Sequence, residues 1–532
     1  MSKKQVRSIA LVGILVCIVF AIGIMHNLNH KHTSNSYEPP LKAACKEANP
    51  LIGINDDFTV NQKFSSQMPV VIIDTNGIEP PINTEKKQVN GEWIFIAKKD
   101  VQPYVEGTIN IIEHNGLNKI TDEVTQNSKI LIKRRGNTSM NYEKPQYTVK
   151  LMTDKGEENK LSLLGMGAEN EWILNGSMAD KSMIRNYLSY RLASQYMPYT
   201  PDSKYCEVMI RHGEKLQYMG VYLLCESIKQ GENRVDIASH KSTDSSGSFI
   251  LRRDRFDPDG TMLNTYAKKN NVYPSYLEVL YPSKKSISKQ EIQQITKEID
   301  HVEEVLYSND LDVYSAYTRL INVDSFIDYF LTNEFLVSYD AGNYSTYMYK
   351  DLGDKLSMGP IWDFDGTMDN YITEAAHTED LAFYKSPWFD RLIKDESFVE
   401  KTKSRYSELR RTYLSDDNVV ATIDEIVEYI GPAQEREWHR WSEQYTKDHE
   451  SYSLLPGKSR EGQILFRDSR EYQQEIYRIK VTLKKHGDAI MQDLNALEGD
   501  CTFNTAWSSR KDIFLLLVLT GLVVVVLLLR KR

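Results

Sequence analysis

Apolar and polar positions alternate in short runs through the first half of the chain. PVVIID (69–74), EWIFIAKK (92–99), GTINIIEH (107–114), KILIKRR (129–135), QYTVKLM (146–152), CEVMIRH (206–212) and MGVYLLCES (219–227) have the length and β-branched content of strands. Clusters of Gly, Asn, Pro and Asp between them suit hairpin connections. One stretch breaks the alternation. In DKSMIRNYLSYRLASQYM, Met183, Ile184, Tyr187, Leu188, Leu192 and Met197 recur at helical spacing behind the capping residue Asp180. Past residue 285 the period lengthens. ISKQEIQQITKEIDHVEEVLYS, INVDSFIDYFLTNEFLVS, SPWFDRLIKDESFVEKTKSRYSELRRTYL, NVVATIDEIVEYIGPAQEREWHRW and SREYQQEIYRIKVTLKKHGDAIMQDLNAL repeat apolar residues at i, i+3, i+4 with charged opposite faces. The pattern predicts a bilobal α+β architecture: a β-rich N-lobe over 61–235 with one embedded helix, then a helical C-lobe over 236–500.

Both ends carry a different pattern. An apolar run from Ile9 to Met25 follows the basic MSKKQVR, and a second, from Ile513 to Leu529, closes on Arg530, Lys531 and Arg532. Each is just long enough to cross a bilayer, so two transmembrane helices are expected to flank the lobes, over 1–26 and 512–530. No small-residue cleavage site follows the first run, which favours an uncleaved signal anchor over a cleaved signal peptide. Residues 27–60 are polar, with paired prolines at 39 and 40, and read as a linker. Basic flanks stay cytoplasmic. The expected location is therefore the bacterial cytoplasmic membrane, with both termini inside and the main domain outside.

The formal net charge of −9 lacks the strongly basic footprint of a nucleic-acid binder. Of the five cysteines, Cys17 lies in the first apolar run, and Cys45, Cys206, Cys225 and Cys501 allow one disulfide or unpaired thiols. No Cys/His spacing suits structural zinc. Trp388, Trp438 and Trp441 read as helix-packing anchors, and His439 as a core histidine.

Candidate chemistry concentrates in two stretches. NEFLVSYDAGNYSTYMYKD leaves a helix, turns at Asp340 and Asn343, and enters an aromatic strand; WDFDG then brings Asp363 and Asp365. An Asp in a helix-to-strand turn, an Asn after it and a second Asp beyond a short hairpin form the ordered set that kinases use for a catalytic base and two metal ligands. Hard Mg²⁺ needs such carboxylate and amide oxygens to hold it against phosphates. RRGNTSMNYEKPQYTVKL supplies Arg134, Arg135, Lys144 and Lys150 on the β-rich side, and the GxGxxG loop of ordinary kinases is absent.

These stretches, together with NEWILNGSMADKSMIRNYLSYRLA, YMGVYLLCESIKQGENRVDI, GSFILRRD, GPIWDFDGTMDN and SPWFDRLIKDESFVEKTKSRYSELR, follow one another in an order that resembles the spore-coat protein H (CotH) kinase family over about residues 67 to 445. The resemblance implies an atypical protein-kinase-like fold that binds ATP with Mg²⁺ or Mn²⁺. It also implies transfer of the γ-phosphate to Ser/Thr of envelope or spore-coat proteins. By the same resemblance Asp340 is the catalytic aspartate, Asp363 and Asn343 hold metal, and Lys150 and Arg135 meet the phosphates. Asn343 stands about two residues early, with Ser345 in the family's usual slot. Glu226, where a strand leaves the N-lobe, is a candidate nucleotide contact, and Arg185 is expected either to orient a group across the cleft or to anchor its helix. A catalytically silent scaffold of the envelope and an ATP-using nucleotidyltransferase are the alternatives.

Overall fold

In the computed structural model, which describes residues 49–506 apart from 90–91, 241–246, 274, 372–378 and 447–453, the alternating runs of the first half close into a barrel. Its strands are β1 (Val70–Asp74), β2 (Val105–Ile112), β3 (Gln126–Arg134), β4 (Tyr147–Met152), β5 (Glu171–Asn175), β6 (Ser203–His212) and β7 (Lys215–Glu226). They pair in the order β7-β5-β4-β3-β2-β1-β6, and β6 returns to β7. Every pairing is antiparallel except β1 with β6. An odd number of strands cannot close with alternating directions throughout, so one parallel pair is the geometric cost of closure.

Alternation sorts the side chains of these strands. Ile109 and Ile111, Ile130 and Ile132, Val149 and Leu151, Trp172 and Leu174, and Tyr222 and Leu224 share one buried cluster, the barrel interior. Residues of the opposite parity, including Ile173, Tyr205, Leu223 and Cys225, belong to a second cluster that continues into the C-terminal helices.

This arrangement corrects the bilobal kinase-like architecture expected from the sequence. The β-rich half is a closed barrel rather than an open lobe. Its outer face also shares one apolar core with the helical half, where two hinged lobes would each keep their own. Among the described residues no helix is long and apolar enough to cross a membrane, and the runs at 9–25 and 513–529 lie outside those residues. The C-terminal half is not purely helical either. β8 (Phe249–Asp254), β9 (Met262–Leu263), β10 (Tyr276–Tyr281), β11 (Thr346–Lys350) and β12 (Ser357–Met358) form an antiparallel sheet in the order β9-β10-β8-β11-β12.

Seven helices of eight or more residues surround these sheets among the described residues: α1 (Arg185–Ala193), α2 (Lys289–Leu306), α3 (Val323–Phe335), α4 (Glu396–Arg411), α5 (Asp416–Ile430), α6 (Ala433–Arg440) and α7 (Tyr472–Gly499). α2 starts on a capping box, Ser288 with Glu291. α1 begins later than its periodicity suggests. The Asp180 carboxylate accepts the backbone N–H of Ser182 and of Arg185, and Met183 takes a φ of +64°, so a tight loop precedes the helix.

α6 locks onto the barrel through two buried ion pairs. Arg436 donates through Nε and Nη2 to the two carboxylate oxygens of Glu207, at 2.8 and 2.7 Å. Glu437 takes Lys144 Nζ at 2.6 Å and the Val221 N–H at 2.8 Å. The latter contact sits beside a bulge between Val208 and Met209, opposite Gly220, whose φ of +105° favours glycine. Trp388 and Trp441 are buried as anchors and Trp438 packs at the core's edge, but His439 is exposed, edge-on to Phe58. A histidine flanked by aromatics in sequence sits on one side of a helix while its neighbours sit on the other. Cys206, Cys225 and Cys501 are free thiols.

Candidate active site

The WDFDG segment is clamped by α1. Trp362 stacks on Tyr190 with ring centroids 6.0 Å apart, and Phe364 meets the same ring edge-on at 6.3 Å. The Phe364 N–H donates to Asn186 Oδ1 at 2.8 Å, and Arg185 Nε donates to the Thr367 carbonyl at 2.9 Å. Trp362 and Phe364 pack against the core, while Asp363 is exposed and Asp365 half-buried. Asp363 takes a φ of +71°, a conformation non-glycine residues adopt only where the surroundings enforce it.

Arg185 is wholly buried. Its Nη1 donates to Asp180 Oδ1 at 2.6 Å and its Nη2 to Glu475 Oε1 at 2.5 Å, so it ties α1, the aspartate loop and α7 together. Of its two expected roles, the structure gives it the anchoring one.

Asp363 lies between the turn at Ser345 and the barrel residue Arg135. Its residue is exposed to solvent, yet enough protein surrounds it that burial is the leading cause raising its pKa; the Ser345 hydroxyl and the Arg135 guanidinium act in the opposite direction. Ser345 Oγ donates to Asp363 Oδ2 at 2.9 Å. Asp340 is also raised, by burial first and then by the nearby Asp363 charge, with Arg255 opposing. The Tyr371 hydroxyl points at Asp340 Oδ1 from 3.4 Å. Asp365 is pushed up to about 8 by burial, then by Asp363, Asp180 and Asp340. Three carboxylates therefore converge and disfavour one another's charge, an arrangement that a bound cation would relieve.

Asn343 lies in the turn after α3, where its N–H and that of Tyr344 donate to the Asp340 carbonyl. The strand begins only at Thr346, so it is Ser345, with a φ of +48°, that reaches Asp363.

The barrel supplies cations beside these aspartates. Arg135 lies over the Trp362 ring at 5.2 Å, next to Asp363. Lys150 faces Glu171 across the strand pair, with its ammonium 3.4 Å from the carboxylate, and Tyr104 lies beneath it at 5.3 Å. Glu226 is buried, and its oxygens accept Arg234 Nη1 at 2.5 Å, the Tyr199 hydroxyl at 2.9 Å and the Asp202 N–H at 3.0 Å. Burial pushes its pKa up to about 7, against Arg234. Lys144, which sequence grouped with the other cations, is buried against Glu437, on α6.

Sequence reasoning missed Arg255. It stands over the Tyr344 ring at 4.0 Å and acts on both Asp340 and Asp363. Its signal was present: RRDRFD ends a strand that pairs with the Tyr344 side of the turn, since Arg253 lies opposite Thr346. Among the described residues no three His, Cys, Asp or Glu side chains form a ready-made metal cage. Mg²⁺ seldom uses one; it is held by one or two carboxylates together with substrate phosphates. Asp363, with hard oxygen donors beside it, fits that mode of binding.

A closed barrel whose outer face carries Arg135 beside a loop of converging aspartates defines the protein's candidate site. The model of the CotH kinase protein family matches residues 132–485, which include Arg135, Lys150, Asp340 and Asp363, and the chain belongs to this family. Its function is accordingly kinase-like. No curated protein matches the chain.

Proposed function

We propose that this site transfers the γ-phosphate of ATP to a serine or threonine hydroxyl of a protein of the cell envelope or spore coat. The observation that carries this reading is that Arg135 on the barrel acts on Asp363, whose charge in turn acts on Asp340, while Lys150 stands on the same outer face of the barrel as Arg135. A nucleotide triphosphate with its divalent cation has the matching polarity, anionic towards the barrel and cationic towards the aspartates.

Asp363 would hold the Mg²⁺ or Mn²⁺, with Asn343 as a second candidate donor and Ser345 orienting the carboxylate. When bound, the ion neutralises phosphate charge. Arg135 and Lys150 bind the phosphate oxygens. Asp340, beside Asp363, orients the acceptor hydroxyl and takes its proton as the oxygen bonds to phosphorus and the bridging oxygen of ADP leaves. Glu226 stands close to the barrel rim and supports it through Arg234 and Tyr199. Placement of the domain outside the cytoplasmic membrane rests on the basic flanks of the two terminal apolar runs.

The test uses the full-length protein with Mg²⁺ and ATP labelled at the γ- or the α-phosphate, followed by mass spectrometry of the protein and of candidate envelope proteins. Transfer of the γ-label supports the reading. Transfer of the α-label shows a nucleotidyltransferase, and no transfer leaves a scaffold. Asp340→Asn should lower transfer by about 10²–10⁴, the usual contribution of a positioned acid–base group, while ATP affinity and melting temperature stay near wild type. Wild-type transfer by that variant would remove Asp340 from the chemistry.

A further inference from the structure

We propose that Lys133 seats the phosphate chain on the barrel wall, between Lys150 and Arg135, an inference that rests on reading the site as a triphosphate site. β3 alternates, so Leu131 and Lys133 share its outer face and Arg135 follows at the strand's end. Arg134, of the other parity, turns away to Glu79 and the Pro80 carbonyl. Across the β3–β4 pair Lys150 lies opposite Leu131, and Lys133 lies opposite Thr148. Lys133 and Lys150 are thus diagonal neighbours, close enough for long side chains to converge. They do converge: both ammonium groups lie over Tyr104, at 5.1 and 5.3 Å from the ring centre.

The three cations differ in what already occupies them. Lys150 is 3.4 Å from the Glu171 carboxylate. Arg135 lies on Trp362 beside Asp363. Lys133, half-buried, has no carboxylate within ion-pair distance among the described residues; the Tyr104 ring lies under its ammonium, and Glu171 and Asp257 act on it only from further away. Burial lowers its pKa; Glu171 opposes this most, Lys150 and Arg135 add to the lowering, and Asp257 opposes it weakly. A half-buried ammonium with no direct ion pair, flanked by two further cations, suits an anionic ligand. Three cations strung along β3 and β4 suit a chain of phosphates that meets Lys150, Lys133 and Arg135 in turn, so the ligand class is a linear polyphosphate ester.

The probe is inorganic tripolyphosphate without metal, titrated into the full-length protein by calorimetry. Lys133→Met keeps the aliphatic stem on Tyr104 and removes the charge. It should weaken tripolyphosphate about ten- to a hundredfold, the range for losing one charge-assisted contact. Lys133→Arg should restore most of the affinity. Lys160→Met removes an equal charge from an exposed lysine, whose partner Glu169 keeps Lys229, and should change affinity less than about twofold, as screened surface charge does. A Lys133→Met variant that binds as wild type, an equal loss in both Met variants, or a wild-type protein that ignores tripolyphosphate would each overturn the proposal. If Lys133→Met does not fold, lysine acylation of the wild type decides: tripolyphosphate should protect Lys133 and not Lys160, and equal labelling with and without it overturns the assignment. The two readings fail separately. ATP binding unchanged in Lys133→Met removes Lys133 and leaves the nucleotide site, whereas tripolyphosphate bound through Lys133 with ATP bound no better than phosphate removes the nucleotide reading and leaves Lys133.

Discussion

Replacing Arg185 by Met tests whether the aspartate loop is held by the buried ion network or by its aromatic contacts alone. The substitution keeps most of the side-chain bulk and removes the donors to Asp180, Glu475 and the Thr367 carbonyl. Breaking a buried pair by removing one partner costs about 3–5 kcal/mol. Here both carboxylates keep other donors: Asp180 retains two backbone N–H groups, and Glu475 retains Arg478 Nη2 at 2.7 Å. The lower end, about 3 kcal/mol, is therefore expected for the ionic part. The Thr367 carbonyl, left without its donor in a buried site, adds about 1–3 kcal/mol. Urea unfolding of the full-length protein followed by tryptophan fluorescence should show a total loss of roughly 4–6 kcal/mol. The pH dependence supplies a second readout. Burial alone would raise Glu475, but Arg478 and Arg185 hold it well below its ordinary value of 4.5. A depressed folded-state pKa gives stability that is present above 4.5 and lost as pH falls below it. Without Arg185 the depression shrinks, so the gap between variant and wild type should be widest near neutrality and narrow in acid. A loss under about 1 kcal/mol, or a gap that widens as pH falls, would refute the claim that this network holds the loop.

Two further substitutions address the metal position and the barrel. Asp363→Asn removes a charge from a hard-cation site, so Mg²⁺-dependent ATP affinity should fall at an unchanged melting temperature, whereas unchanged affinity by calorimetry would leave Asp363 with a structural role only. Gly220→Ala would place a methyl group 2.0 Å from Glu437 Oε2 at a φ of +105°, and the displaced buried carboxylate should cost about 3 kcal/mol or more in urea unfolding; a wild-type midpoint would show that α6 can shift without loss.

The strands were legible in the sequence because alternation is local, and each expected run matches an observed strand to within a few residues at either end. Closure was not, because it depends on the parallel meeting of β1 with β6, residues 70–74 with 207–211, which no local pattern records. EWILN escaped for a related reason. Glu171 and Ile173 face outward and Trp172 and Leu174 inward, but both faces of β5 are covered, so the contrast that marks a half-exposed strand is weak. The positions of Asp340 and Asp363 followed from their places between elements, and a resemblance to known kinases gave them roles. The basic wall was harder to see, since KILIKRR supplies four cations whose separate tasks depend on pairing. Register turns Lys133 and Arg135 outward and Arg134 to Glu79, and it brings Lys150 against Glu171. The same register sets Lys133 between Lys150 and Arg135, so a feature hardly visible in the sequence bears closely on what the site can hold.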